Sequence, residues 1–270
     1  MALAPVVKAA LTSAALLLLG GCASHDDGRR RVAVETGNGG FARVVADSAA
    51  HQVLALLRSR AAAETLTVYL EGDGAAWPGR WQPPLDPTPE RALVLAMAVQ
   101  DPSPQVAYLA RPCQYLDAEA LAACPVELWT RRRYSEPAIA AMNTALTALK
   151  RASGAGRLQL VGYSGGGVLA LALAARRLDV TRVLTVAAPL RVGAWVAHHG
   201  LTPLEGVDPD ALVSARVPAV HFVGERDEVV PVDIVAPYAR RNGAKLVVVP
   251  GFDHHCCWSR DWPRLLEETR

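Results

Sequence analysis

The chain has 270 residues, 51% of them apolar and 6% aromatic, and a formal net charge of +2. That is enough for one large domain with a well-buried core, with no second domain required. So balanced a charge argues against a nucleic-acid binder; the basic runs Arg29-Arg30-Arg31 and Arg131-Arg132-Arg133 are short, lack interleaved aromatics and read as solvated surface.

The N-terminus does not read as part of the fold. Residues 1–8 carry one positive charge, Lys8, and 9–19 form an apolar stretch too short to span a bilayer, the layout of a secretory signal. This signal ends in Leu19-Gly20-Gly21-Cys22, which resembles a bacterial lipobox. The resemblance implies cleavage before Cys22 and lipid on that cysteine, with acyl chains enough for stable anchoring. The next residue, Ala23 rather than Asp, is similar to the pattern of Gram-negative lipoproteins sent to the outer membrane, facing the periplasm. The alternative is an ordinary secretory signal with Cys22 incidental. The expected organisation is a signal at 1–21, a flexible tether at 22–39, rich in charge, Gly and Ser, and a folded domain at 40–270.

Export to an oxidising compartment permits disulfides. Besides Cys22 there are Cys113, Cys124, Cys256 and Cys257. Cys113 and Cys124 bracket a short loop-like segment flanked by Pro112 and Pro125 and are the first choice for a bridge. A bond between the neighbours Cys256 and Cys257 would be strained, so one of them could instead reach the Cys113 loop. Three pairings stay open.

In chain order, 41–46 and 51–57 read as two opening strands, and 65–70 as a short apolar strand ended by Gly72. Another strand is expected at 106–110. From there strands and helices alternate: helix 136–150, strand 158–161, helix 165–178, strand 182–186, strand 219–223, helix 233–241 and strand 245–249. Apolar strands alternating with helices predict an α/β fold, a mostly parallel central sheet with helices on both faces and opening strands that are possible antiparallel additions.

The strongest chemical signal lies where strand 158–161 runs into Gly162-Tyr163-Ser164-Gly165-Gly166 and then an Ala/Leu-rich helix. This is a G-x-S-x-G elbow in the strand–turn–helix context it requires. The glycines leave room for a tight, strained turn that lifts the Ser164 hydroxyl clear of the sheet, and the Gly165 amide at the helix start can face a developing oxyanion. A serine hydroxyl needs a base and a residue to orient it. Downstream, Gly224-Glu-Arg-Asp-Glu-Val-Val-Pro231 places Asp227 after a strand, with helix capping as its alternative role and Glu225 as the nearest substitute. After the last strand, Pro250-Gly-Phe-Asp-His-His255 offers His254, ahead of His255, as the base. The adjacent His254-His255-Cys256-Cys257 cannot easily converge on one ion, so no metal is expected.

Elbow, acid and histidine, in the order Ser164, Asp227, His254 and each at a strand end, resemble the α/β-hydrolase superfamily over the stretch from about residue 41 to the C-terminus. The resemblance implies a serine hydrolase that cleaves an ester-type bond of a small-molecule or lipid-like acyl substrate through an acyl-enzyme, without cofactor. It also implies a second oxyanion amide in the turn Glu71-Gly72-Asp73-Gly74, that of Asp73, although Glu71 stands where the superfamily commonly has His. Trp77 and Trp81 follow as possible walls of an acyl pocket. An acyltransferase or peptidase with the same three residues, and a non-catalytic binding lipoprotein, are the rival readings. Segments 108–115 and 195–198 read as site-lining loops at strand C-termini without a defined role, and Arg111 as a salt-bridge or anion-binding residue.

Overall fold

The computed structural model describes residues 25–45, 51–75, 82–212 and 217–269. The expected signal segment 1–21, Cys22, Trp77 and Trp81 lie outside the described residues. Among the described residues, β1 (Ala42–Val44), β2 (Ala55–Ser59), β3 (Thr65–Leu70), β4 (Gln105–Leu109), β5 (Arg157–Tyr163), β6 (Val180–Val186), β7 (Ala219–Gly224) and β8 (Lys245–Val249) form one sheet. Its order is β1-β2-β4-β3-β5-β6-β7-β8. β1 pairs with β2, and β2 with β4, antiparallel; every later pairing is parallel.

Helices cover both faces. They are α1 (His25–Gly37), α2 (Leu93–Gln100), α3 (Ala118–Ala122), α4 (Glu136–Ser153), α5 (Gly165–Ala174), α6 (Val192–His198), α7 (Val232–Arg241) and α8 (Trp258–Glu267). Because strand side chains alternate, Leu66, Val68 and Leu70 of β3 point into a core with α4, α5, α6 and α7. Tyr69 of the same strand points into a second core with Val32 of α1, α2 and Trp258, Trp262 and Leu265 of α8. In α4, Ile139, Met142, Leu146 and Leu149 recur at helical spacing on the buried face, and Gly154 ends the helix at φ 72. Each such side chain contributes about 1.5–3 kcal/mol by burial. Helix α5 is buried along its whole length, which its run of Gly, Ala, Val and Leu permits.

Several expectations are corrected. The 22–39 stretch is no flexible tether over its described part: α1 forms there, and it is docked. Arg29 pairs with Asp86 at 2.6 Å, Arg31 with Glu35 one turn on at 2.9 Å, and Val32 is buried. One buried apolar side chain in a polar segment gives no periodicity to read; the docking rests on that valine and on the long-range Arg29–Asp86 pair. The opening strands are shorter or shifted, because Phe41 lies just outside β1, buried, with the Arg58 guanidinium 5.0 Å over its ring. The helix expected at 165–178 stops at Ala174. Helices α2 and α8 had no reading. The first is too uniformly apolar to show a period, and the second carries Pro263 and buries tryptophans rather than an aliphatic stripe. Cys113 and Cys124 are joined, with Cα atoms 5.9 Å apart, and Cys256 is bonded to its neighbour Cys257 rather than to the Cys113 loop.

Candidate active site

Ser164 sits between β5 and α5 at φ 49, ψ −126, a conformation strained for any residue with a side chain. The surroundings enforce it. A Cβ on Gly162 would stand 2.4 Å from the Gly166 carbonyl oxygen, and one on Gly166 2.4 Å from that of Leu70, so the turn can close only with glycine on both sides. The Ser164 amide donates to the Val186 carbonyl at 2.8 Å, tying the turn to β6.

The structure brings Ser164, His254 and Asp227 together. His254 Nε2 lies 3.2 Å from Ser164 Oγ, and His254 Nδ1 lies 2.9 Å from Asp227 Oδ2. They come from the ends of three strands: Ser164 follows β5, Asp227 follows β7 and His254 follows β8. Asp227 is buried, and its other oxygen accepts from the Val229 and Val230 amides at 2.9 and 2.7 Å. Those bonds leave Oδ2 directed at the histidine. The His254 carbonyl accepts from the Tyr163 hydroxyl at 2.8 Å and Trp258 Nε1 at 3.1 Å, which fixes the loop that presents the ring. His255 faces elsewhere: its Nδ1 is 3.4 Å from the Tyr163 hydroxyl. Burial, and then the neighbouring His254, hold its ring below the usual histidine range.

The expected oxyanion turn lies against the serine, since a Cβ on Gly72 would stand 3.4 Å from that of Ser164. Gly165, the first residue of α5, has no intrahelical acceptor for its amide. The Asp73 side chain is more than a turn former. Its carboxylate accepts from Arg111 Nη1 at 2.9 Å, Arg133 Nη1 at 3.0 Å and the Tyr134 hydroxyl at 2.9 Å. Burial works to raise its pKa, but the Arg133 and Arg111 charges outweigh it and hold the group below the usual carboxylate range. Glu71, in place of the superfamily's His, accepts from the Gly72 amide at 2.9 Å and the Tyr108 hydroxyl at 2.8 Å. Burial still pushes its carboxyl up to about 7. Gln114 Nε2 donates to the Gly72 carbonyl at 3.2 Å.

Arg111 forms the salt bridge read for it, with Asp73 as the partner the sequence did not name; Arg133 and Tyr134 escaped the sequence reading. Arg133 is hidden in a run that looks like solvated surface, and Arg111, Gln114 and Tyr134 contact Asp73 or Gly72 across 38 to 61 residues. Trp195, expected in a loop, lies in helix α6 and donates from Nε1 to the Val229 carbonyl at 2.7 Å, so bracing the Asp227 loop. Among the described residues no group of three or more His, Cys, Asp or Glu side chains could hold a metal.

No protein-family model and no curated protein matches the sequence. Solved structures do match in shape. A serine hydrolase homologue from Coxiella burnetii is 14% identical, with 84% of this chain and 94% of that one covered and a TM-score of 0.55. A Pyrococcus furiosus esterase is 12% identical over 85% and 86%, at 0.57. A proline iminopeptidase-related protein from Thermus thermophilus is 17% identical over 85% and 94%, at 0.55. The sheet order, its parallel pairings and these likenesses together show that the chain has the α/β-hydrolase fold.

Proposed function

We propose that the protein is a serine hydrolase that cleaves a carboxylic ester through an acyl-enzyme on Ser164, held at a bacterial outer membrane by lipid on Cys22. The carrying observation is the relay from Ser164 Oγ to His254 Nε2 at 3.2 Å and from His254 Nδ1 to the buried Asp227 at 2.9 Å. In the first step His254 takes the Ser164 proton as Oγ attacks the carbonyl carbon, and Asp227 holds the imidazole in the tautomer with its free nitrogen toward the serine. The Gly165 and Asp73 amides stabilise the oxyanion at the N-terminus of α5. His254 then returns the proton to the leaving alkoxide, and a water activated by the same ring hydrolyses the acyl-enzyme.

The choice of ester over peptide is tested by a matched panel of acyl esters and amides. Esters should be turned over with a burst of alcohol release before the steady state, and added methanol should divert acyl groups from water. Turnover of peptide bonds with no ester hydrolysis would overturn this reading in favour of a peptidase. The anchor is tested by the mass of the mature N-terminal peptide: a diacylglyceryl adduct on Cys22 is expected, lost in Cys22→Ser.

A further inference from the structure

The N-terminal helix joins the point of expected lipid attachment to the mouth of the site, with very little chain to spare. Cys22 precedes His25, the first residue of α1, by three peptide steps, about 11 Å when fully extended. Four helical residues, about 6 Å of rise, lead on to Arg29. There the helix is pinned: Arg29 donates to Asp86 Oδ2 at 2.6 Å and to Thr88 Oγ1 at 3.3 Å, and a Cβ on Gly28 would stand 2.3 Å from the Pro89 carbonyl oxygen.

The segment that receives the helix is the outer wall of the oxyanion turn. The Pro87 carbonyl accepts from the Ala75 amide at 3.2 Å, and Gly74, at φ 93, packs so closely on it that a Cβ would stand 1.8 Å away. Thr88 Oγ1 accepts from the Tyr115 amide at 2.8 Å. A path thus runs from Ser164 across to Gly72, along the chain through Asp73 to Gly74, and on through Pro87 and Asp86 to Arg29.

We infer that the anchored enzyme stands with this mouth at the membrane surface and that its substrate is the acyl ester of a lipid resident in the same leaflet. The inference rests on the ester-hydrolase reading and on acylation of Cys22. The reaction adds water across the lipid ester: the acyl group leaves on Ser164 and is released as a fatty acid, and the remainder stays as the lyso-lipid. A long flexible tether would leave the orientation free; a docked helix fixes it. A lipid ester is then presented to Ser164 without leaving the bilayer, whereas a water-soluble ester gains nothing from the arrangement.

The test uses full-length acylated protein in vesicles of phosphatidylethanolamine and phosphatidylglycerol, with fatty-acid release measured beside hydrolysis of soluble p-nitrophenyl butyrate. Inserting twenty Gly/Ser residues between Ala23 and Ser24 should cut fatty-acid release at least tenfold and leave butyrate hydrolysis within twofold. Arg29→Ala, which unpins the helix, should lower release in the same direction. Equal release from the insertion variant, or no release by a wild type that hydrolyses butyrate, would overturn the inference while leaving the hydrolase reading intact. Absence of both activities, with no labelling of Ser164, would instead mark failure of the hydrolase reading.

Discussion

Asp227 is the residue whose replacement best separates orientation from chemistry. Its Oδ1 is occupied by two backbone amides and its Oδ2 by His254, so Asp227→Asn preserves the volume and keeps one oxygen for the loop. The side-chain amide would then face Nδ1 as a donor and favour the wrong tautomer. We expect kcat to fall roughly 10³–10⁴-fold with KM changed little. Unchanged kcat would move the orienting role away from Asp227; Glu225, the substitute read from the sequence, is already engaged with the Gly251 amide at 3.0 Å. Asp73 invites a subtler experiment. Arg133→Ala removes one of its two guanidinium partners, and the consequence should appear at the amide behind the carboxylate. A loss of about tenfold in kcat is expected, smaller than the 10²–10³ of deleting an oxyanion donor outright. If only KM rises, the clamp grips substrate rather than shaping the turn.

At the scale of elements, the 113–124 segment couples a disulfide to the site. Arg111 and Gln114 hold the 71–74 turn from one end of the bridged loop, and Arg133 and Tyr134 hold it from beyond the other. The loop contains only α3, one short 3₁₀ turn follows it, and the Cys113–Cys124 bond closes it over 11 residues. Closing a loop of that size contributes about 2–3 kcal/mol in the chain-entropy model. A Cys113→Ala, Cys124→Ala double variant should lose about that much stability by urea titration and also lose kcat at temperatures where it is still folded. Full activity in the folded double variant would show that the turn does not depend on the bridge. Elements with a regular period were legible in the sequence: β3 and β8 have the expected bounds, and α4 begins where expected. The elements that stayed illegible lacked a period. α1 has one buried valine and the long-range ion pair Arg29–Asp86, and α8 is held by Trp258 and Trp262.

Over the whole molecule, two buried groups tilt stability against pH in opposite directions. The Glu71 carboxyl is pushed from 4.5 up to about 7 and the His221 ring from 6.5 down to about 4, in both cases chiefly by burial. Between pH 4.5 and 7 the folded state holds a proton on Glu71 that the unfolded chain releases, so stability falls as pH rises. Between pH 4 and 6.5 the unfolded chain protonates His221 and the folded state does not, so stability rises with pH. Each swing is on the order of 3 kcal/mol, and the two oppose one another between about pH 4.5 and 6.5. Glu71→Gln should therefore uncover a stability that climbs from pH 4.5 to 6.5 in urea titrations; a flat profile in that variant would contradict this balance. The sequence indicated which residues come together at the sheet edge, because the elbow glycines, the acid loop and the last strand each carry a local pattern. It named no partner for Arg111 and gave no sign of Arg133 and Tyr134, because all three meet Asp73 through contacts that only the folded sheet creates.

The proposed nucleophile can be tested directly by treating the protein with a fluorophosphonate probe and locating the adduct by peptide mass. A single phosphonyl group on Ser164 is expected, absent in Ser164→Ala and formed at least 100-fold more slowly in His254→Ala, because the ring 3.2 Å from Oγ is the base that activates it. Equal labelling of wild type and Ser164→Ala, or an adduct on any other residue, would contradict the assignment of Ser164 as the nucleophile.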